Sequence, residues 1–273
     1  MHTVKAALEE LMTQMDRTDA VVIMAEVLGV NRAWIAANPM RILTESQDAQ
    51  IDMLGVQRAM GRPVAYLLNR REFYGRDFAL DASVLIPRPE TETLVEAALA
   101  RMGPRDTFLD LGTGSGAIAV TLACQRPESR GVATDVSEAA LRVARGNAGR
   151  HHCELRIEFV HGSWYAPLEG RRFDLVVSNP PYVAANDKHL GQGDLRFEPP
   201  EALTDGSPDG LAAIRAIASG AGGHLKPGGW LLLEHGYDQA EAVRGILAAA
   251  GFSDLVSLPD LAGIPRVAGG KMQ

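Results

Sequence analysis

Two consecutive prolines, preceded by an asparagine and followed by a tyrosine, stand where a buried strand should end. The run Asn179-Pro180-Pro181-Tyr182 follows a stretch of apolar, β-branched residues. The prolines remove two backbone donors and fix two φ angles, and a residue before a proline favours an extended conformation. The loop is therefore stiff, and it holds one amide side chain and several carbonyl groups in fixed directions.

The chemistry that suits such a loop is the handling of a planar NH2 group. The lone pair of such a nitrogen is delocalised, so the nitrogen is a poor nucleophile. The side-chain oxygen of Asn179 and the carbonyl of Pro180 could accept its two hydrogens, orient it and favour positive charge on it. Tyr182 offers an apolar face against which the planar group can lie. We therefore predict that the loop presents a carboxamide-like nitrogen for reaction.

A second group of residues has the pattern of a nucleoside-binding site. Gly112, Gly114 and Gly116 lie between a predicted strand and a predicted helix, and Asp135 ends the next strand. Glycines at such a turn let the backbone approach a ligand closely, and an acid at the end of the next strand can accept hydrogen bonds from ribose hydroxyls.

The composition of this glycine loop indicates which nucleoside it binds. Its spacing differs from that of the dinucleotide fingerprint, and no lysine or arginine is available there to neutralise a pyrophosphate. Asp110, just before the loop, would repel phosphate but attract an ammonium group. S-adenosylmethionine carries adenine, ribose, a sulfonium and a zwitterionic amino acid, so we predict it as the ligand, with NAD second. Trp164 either stacks on the adenine or fills the core, and the residues alone leave both open.

These residues need a scaffold that brings them together, and the chain predicts one. From Thr107 onwards, strand and helix patterns alternate, which indicates βαβ units and a mostly parallel, doubly wound α/β sheet. Ligands of such sheets lie beyond the carboxyl ends of the strands, so we expect the glycine loop, Asp135 and Asn179 to face one crevice. Predicted strands lie at 107–111, 131–135, 155–161, 173–179 and 230–236, predicted helices at 116–124, 137–147, 211–223 and 238–250, and a closing hairpin at 251–271.

The chain before this sheet has a different pattern. Helical periodicity predicts the helices Val4–Arg17, Ala20–Leu28 and Ser46–Met60, the second with a cap at Thr18 or Asp19 and the third with a cap at Ser46. Glu72–Ile86 predicts a β-hairpin. We therefore predict a helical bundle at 1–70, a hairpin linker at 71–90 and the sheet domain at 91–273. Five methionines are predicted to fill the core of the bundle: Met12, Met15, Met24, Met53 and Met60.

The composition disfavours several classes of protein. The chain of 273 residues contains no run of about 18 apolar residues, and its acidic N-terminal segment is unlike a signal peptide. Its net charge of −7 disfavours tight binding to nucleic acid. Cys124 and Cys153 cannot build a disulfide framework, so we expect a cytoplasmic protein, and we expect a monomer. The adjacent His151, His152 and Cys153 do not converge easily on one ion, so we predict no metal site.

The sequence as a whole resembles the peptide chain release factor glutamine N5-methyltransferases, a family of class I S-adenosylmethionine-dependent methyltransferases. Similar Asn-Pro-Pro-Tyr loops occur in enzymes that methylate adenine N6 in DNA or guanine N2 in ribosomal RNA, so the loop alone does not distinguish these families. The resemblance rests on further segments over nearly the whole chain: Gly61 and Pro63, Tyr66-Leu67, Glu72–Gly75, Pro87–Glu92, Glu198-Pro199, Ala202-Leu203, Asp209–Leu211 and 261–267.

The resemblance implies a seven-stranded Rossmann-like sheet and a set of site residues. The implied cofactor, S-adenosylmethionine, would contact Gly112, Thr113, Gly114, Ser115, Gly116, Asp135, Trp164 and Asn179, and S-adenosylhomocysteine would be the product. The implied substrate site is Asn179, Pro180, Pro181 and Tyr182, with Asn179 as the catalytic residue. The implied substrate is the glutamine of the Gly-Gly-Gln loop of class 1 release factors, for which the N-terminal bundle would be the docking surface. Ser163 departs from the pattern, since an aspartate is frequent there.

Three alternative functions remain open at this point. A glutamine methyltransferase that acts on a ribosomal protein would share the fold, cofactor and loop, but resembles this chain less at Pro87–Glu92. A nucleic-acid amino-group methyltransferase fits poorly with the acidic charge. A non-catalytic S-adenosylmethionine-binding module would not require the pair of acceptors at Asn179 and Pro180.

Overall fold

The computed structural model describes residues 2–273, and within them the chain divides into two compact units. The smaller unit comprises the chain up to Arg70 together with Gln192–Phe197. The larger unit comprises Arg71–Gly191 and Glu198–Gln273. An ion pair links the segment Gln192–Phe197 to the rest of the smaller unit, because Arg58 Nη1 donates to Asp194 Oδ1 over 2.9 Å.

The smaller unit is helical within the described residues. Its α-helices are Val4–Leu11 (α1), Arg17–Leu28 (α2), Arg32–Ala37 (α3), Glu45–Ala59 (α4) and Val64–Leu67 (α5). The predicted helix Val4–Arg17 is too long, since α1 ends at Leu11 and Arg17 already belongs to α2. Asp16 caps α2 by accepting from the amides of Thr18 and Asp19. The cap of α4 is Thr44 and not Ser46, because Thr44 and Gln47 form a reciprocal capping box.

The prediction that five methionines fill the core of this unit is largely wrong. Met24 is fully buried and Met15 packs against the core, whereas the other three are exposed. The core-facing side of α4 is taken by Ile51, Leu54 and Gly55. Met53, Val56 and Met60 lie on its opposite side, spaced three and four residues apart, and are 53%, 51% and 71% exposed.

A two-stranded hairpin comes before the main sheet. Its strands, Arg70–Phe73 (β1) and Arg76–Ala79 (β2), are joined by Tyr74 and Gly75, whose φ angles of 52° and 71° are those of a type I′ turn. The amide of Tyr74 donates to Glu92 Oε1 over 2.8 Å, which attaches the turn to the start of the next helix.

Strands and helices alternate over most of the remaining chain, as predicted. They are Thr91–Leu99 (α6), Thr107–Leu111 (β3), Ala117–Gln125 (α7), Arg130–Asp135 (β4), Glu138–Arg150 (α8), Ile157–His161 (β5), Phe173–Ser178 (β6), Pro200–Leu203 (α9), Ala212–His224 (α10), Leu225–Glu234 (β7), Ala240–Ala249 (α11), Ser253–Pro259 (β8) and Pro265–Lys271 (β9). No helix of residues 2–273 is long and apolar enough to cross a membrane.

Seven of the strands within residues 2–273 form one sheet, in the order β5-β4-β3-β6-β7-β9-β8. The pairs from β5 to β7 are parallel, and β9 runs antiparallel to both β7 and β8. The predicted fold class is therefore confirmed. The chain runs outward from β3 to β5 on one side and from β6 to β8 and β9 on the other, so the order reverses between β3 and β6. Ligands of open α/β sheets bind at such a reversal, beyond the carboxyl ends of the strands.

Both faces of the sheet are covered by apolar residues, which places β3 in the middle of the core. Phe108 faces one layer with Leu94 and Leu122, and Leu109 faces the other with Ile214. Gly131 on β4 is required beside Phe108, because a Cβ there would lie 2.2 Å from the ring. The buried β3 thus ends in a polar loop at a fixed position.

Candidate active site

A cleft lies at the carboxyl ends of β3, β4 and β6, where the strand order reverses. It contains about 800 Å³ of empty space, part of which is open to solvent. Six of the predicted site residues line it: Gly112, Gly114, Asp135, Trp164, Asn179 and Pro181. Thr113, Ser115, Gly116, Pro180 and Tyr182 do not line it; the first three lie within the glycine loop and the others within the proline loop.

The glycine loop adopts a conformation that only glycine takes without strain. Gly112, Gly114 and Gly116 have φ angles of 71°, 55° and 80°. A side chain at Gly116 would also meet α8, because its Cβ would lie 3.1 Å from that of Ala144. The amides of Gly112 and Thr113 donate to the carbonyl of Thr134 on β4, over 2.9 and 3.0 Å. The loop is therefore held close to the end of β4.

Asp110, on β3, is a buried carboxylate with one unused oxygen. Its Oδ2 accepts from Thr113 Oγ1 over 2.6 Å and from the amide of Ala119 over 3.2 Å. Its Oδ1 has no hydrogen-bond partner among the described residues. Burial raises the pKa of Asp110 to about 7, against the lowering effect of these two hydrogen bonds, and the charge of Asp135 raises it further. A buried carboxylate with a free oxygen is suited to a cationic group, as the sequence suggested.

Asp135 lines the cleft and retains acceptor capacity. Its Oδ2 accepts from the amide of Gly114 and its Oδ1 from the amide of Ser137, both over 2.9 Å. Burial raises the pKa of Asp135, and these hydrogen bonds act in the opposite direction. Each carboxylate oxygen has two lone pairs, so both oxygens can still accept a hydroxyl. This arrangement fits a ribose.

Trp164 is partly a core residue and partly a residue of the cleft wall. The ring packs partly against the apolar core and also lines the cleft beside Gly112, where a Cβ would lie 3.4 Å from the ring. Its φ angle is 46°, unusual for a bulky residue, and its carbonyl accepts from Thr134 Oγ1 over 3.3 Å. The backbone is therefore held in a strained conformation that places the indole at the cleft wall.

In the proline loop, Asn179 faces the cleft and Tyr182 is turned inward. Asn179 Nδ2 donates to Thr91 Oγ1 over 3.2 Å, which leaves Oδ1 as the amide atom available to a ligand. The hydroxyl of Tyr182 donates to Glu234 Oε1 over 3.1 Å, and burial raises the pKa of Tyr182. The carbonyl of Tyr182 accepts from Gln239 Nε2 over 3.0 Å. Both ends of the loop are thus anchored by side chains from other elements.

The segment Asp209–Leu211 packs against this loop through its glycine. Gly210 has a φ of 64°, and a Cβ there would lie 2.2 Å from the carbonyl oxygen of Tyr182. The backbone of Asp209 also accepts from Gln239 Nε2, over 3.0 Å. Only a glycine lets this segment approach the proline loop so closely.

Several polar residues around the cleft were not predicted. Asn147 on α8 is fully buried, accepts from the amide of Ala79 over 2.8 Å, and donates to the carbonyls of Ala79 and Ser115 over 3.0 and 2.9 Å. Glu198 is buried, accepts from the amide of Ile86 over 3.0 Å and pairs with Arg88. Thr91 and Glu234 are also buried. The resemblance contained a signal for Glu198 and Thr91, since both lie in segments that carry it.

Comparisons with known proteins show the family of the chain. The chain matches the family model "Methyltransferase small domain" over residues 89–194 and "PrmC N-terminal domain" over residues 1–68. It is 49% identical to the release factor glutamine methyltransferase of Neisseria gonorrhoeae, over 95% of each chain. It is 51% identical to the one of Bordetella pertussis, over 93% of this chain and 94% of that one.

A solved structure supports the fold separately. The crystal structure of a methyltransferase from Pyrococcus furiosus superposes with a TM-score of 0.55 and 19% identity, over 79% of this chain and 95% of that chain. At this identity the likeness shows the fold alone, whereas the relatives show the family over nearly the full length. The chain therefore belongs to the family of release factor glutamine methyltransferases.

Proposed function

We propose that this protein transfers a methyl group from S-adenosylmethionine to the side-chain amide nitrogen of the glutamine in the Gly-Gly-Gln motif of class 1 release factors. One observation carries the proposal: the Asn179 amide, with Oδ1 unoccupied, lines the same cleft as the glycine loop and Asp135. The family to which the chain belongs, and the names of its relatives, support a release factor as the substrate.

Most of the residues that would hold the cofactor line the cleft, and Asp110 lies on β3 just before the glycine loop. Asp110 offers a buried negative charge to an ammonium group, and Asp135 offers acceptors to a ribose. Gly112 and Gly114 leave room for close approach of the ligand, and Trp164 offers an aromatic face. When bound, S-adenosylmethionine supplies a methyl group on a sulfonium, and the neutral thioether is a good leaving group, so the reaction requires no metal.

Asn179 and Pro180 would act on the acceptor nitrogen. Asn179 Oδ1 and the Pro180 carbonyl each accept one hydrogen of the glutamine NH2 group, and this orients the nitrogen toward the methyl carbon. The methyl group that S-adenosylmethionine would supply puts growing positive charge on the nitrogen, and the two acceptors would stabilise that charge. The nitrogen then loses one proton to water.

We also propose that the helical unit binds the release factor. Its support is the exposed apolar side of α4, formed by Met53, Val56 and Met60, because contiguous apolar surface on a soluble unit is typical of interaction sites. A cytoplasmic location and a monomeric state are further proposals. The two cysteines, Cys124 and Cys153, are both free thiols, as expected in a reducing compartment.

The test of the function is a parallel labelling experiment. The protein is incubated with methyl-labelled S-adenosylmethionine and, separately, a release factor, a mixture of ribosomal proteins, or DNA. We expect label on the release factor alone, and none on a release factor whose motif glutamine is replaced by alanine. Label found only on a ribosomal protein or on DNA would overturn the assignment, and binding of S-adenosylmethionine without any transfer would indicate a non-catalytic module.

A further inference from the structure

Glu234 is a buried carboxylate beside the proline loop to which the reaction as described assigns no role. It ends β7, is 1% exposed, and lies next to side chains from two other elements, Thr91 at the start of α6 and Tyr182 after β6. Tyr182 donates to its Oε1 over 3.1 Å. Its Oε2 has no hydrogen-bond partner among residues 2–273. Burial raises the pKa of Glu234 to about 7, and the nearby hydroxyls of Thr91 and Tyr182 act in the opposite direction by stabilising its charged form. A buried carboxylate with an oxygen that lacks a hydrogen-bond partner lowers the stability of the folded state, which indicates a role other than stability.

The hydrogen bond between Asn179 and Thr91, and the carboxylate of Glu234 close to Thr91, bear on the orientation of the Asn179 amide. In its ionised form Glu234 only accepts hydrogen bonds, so hydroxyl groups that face it then donate to it. If the Thr91 proton points at Glu234, the lone pairs of Thr91 Oγ1 are left to accept from Asn179 Nδ2, and they do so over 3.2 Å. The amide of Asn179 is then oriented with its NH2 inward and Oδ1 toward the cleft.

We propose that Thr91 and Glu234 are positioning residues, which set the amide of Asn179 so that its oxygen, and not its NH2 group, faces the acceptor nitrogen. The inference rests on the proposed function and deepens it. A flipped Asn179 would present two N–H donors to a substrate NH2 group and would lose the hydrogen bond that orients it. Neither residue touches the reacting atoms, so both act through Asn179, and Glu234 also acts through Tyr182.

The first test replaces the Thr91 hydroxyl without changing its shape. Thr91→Val should lower kcat on release factor by about 100-fold, the usual effect of misplacing a group that orients the reactants. The Kd for S-adenosylmethionine should change by less than about threefold, because the change does not reach the glycine loop. Thr91→Ser, which keeps the hydroxyl, should retain kcat within about threefold of the wild type.

Thr121→Val is a matched control. Thr121 is also fully buried on a helix, and its hydroxyl has no hydrogen-bond partner among the described residues, so the same change there should leave kcat unaltered. Glu234→Gln should lower kcat as Thr91→Val does, since an amide turns one donor toward Thr91 or Tyr182. The double variant should lose little more than the more impaired single variant, because both act on one hydrogen-bonded chain.

A second readout does not depend on methylation. The side-chain NH2 protons of Asn179, assigned by their loss in Asn179→Asp, should exchange slowly with solvent in the wild type and quickly in Thr91→Val. Wild-type kcat in Thr91→Val, or equal exchange in the two proteins, would overturn the inference. Equal losses in Thr91→Val and Thr91→Ser would also overturn it, because they would show that packing alone matters. If the release factor is not methylated but the exchange difference is found, the proposed function fails while the orientation of Asn179 stands.

Discussion

Asp110 shows how one buried residue can oppose folding and favour a ligand. Its environment supplies two hydrogen bonds for Oδ2 and none for Oδ1 among the described residues. The carboxyl is therefore easier to protonate in the folded chain, where its pKa is about 7, than in the unfolded chain, where it is near 3.8. A cation bound beside Oδ1 would remove this penalty.

The pH dependence of stability should reveal this penalty. Because the folded pKa is the higher one, the folded state is favoured most below pH 3.8, and this stability is lost as the pH rises through about 7. Asp110→Asn cannot ionise, so its melting temperature relative to the wild type should increase by several degrees between pH 5 and pH 8. Thermal unfolding of both proteins at the two pH values measures the difference. A difference that stays constant over this range would contradict the raised pKa of Asp110 in the folded state.

At the level of residues, the sequence predicted the groups that belong to local patterns and missed those that depend on tertiary contacts. Gly112, Gly114 and Asp135 were recognised because each occupies a fixed place in a strand–loop–helix unit. Glu234 is distant from Tyr182 along the chain, and their hydrogen bond depends on the pairing of β6 with β7. No local signal distinguishes such a carboxylate from an ordinary residue at the end of a strand.

The helix boundaries illustrate what local patterns can and cannot predict at the level of elements. The cap of helix α4 lies two residues before the predicted one, because Thr44 and Ser46 are both good caps and only Thr44 has a glutamine three residues later that reaches back to it. The short helices α3 and α5 were not predicted, since elements of six and four residues contain too little periodicity to be recognised.

The contact of Gly210 with the proline loop supplies a prediction at this scale. Gly210→Ala would place a methyl group 2.2 Å from the Tyr182 carbonyl, so it should displace the loop and lower kcat by about 100-fold. The matched control is Gly206→Ala. Gly206 has a similar φ of 78° but no atom within 4 Å of its Cβ position, so that variant should lose about 1 kcal/mol of stability through backbone strain and keep its activity. Equal kcat in the two variants would show that the contact does not position the loop.

For the whole molecule, the alternation of strands and helices was sufficient to predict the doubly wound sheet, and the reversal between β3 and β6 explains why its site lies where it does. The assignment of Gln192–Phe197 to the helical unit could not be predicted, because its ion pair with Arg58 joins segments that are distant along the chain. The exposure of three methionines was also missed, since methionine suits a core and an interaction surface equally well.

If the exposed side of α4 binds the release factor, charges placed there should affect only the large substrate. The double variant Met53→Glu with Val56→Glu should raise KM for whole release factor about tenfold and leave KM for a short Gly-Gly-Gln peptide unchanged. Leu155→Glu is the control, because Leu155 is also an exposed apolar residue, at 87%, but lies in the larger unit. Equal effects on protein and peptide, or an equal effect of Leu155→Glu, would argue against this docking surface.

Asn147 has a consequence for motion in the larger unit. Its amide imitates a neighbouring strand, because it exchanges two hydrogen bonds with the backbone of Ala79 while it also holds the carbonyl of Ser115. The second strand of the hairpin can therefore detach from α8 only if the hydrogen bonds between Asn147 and Ala79 break. The same displacement of Asn147 would release the carbonyl of Ser115 in the glycine loop. A ligand that restricts the motion of the glycine loop would therefore also slow the opening of the hairpin, although the ligand does not contact the hairpin.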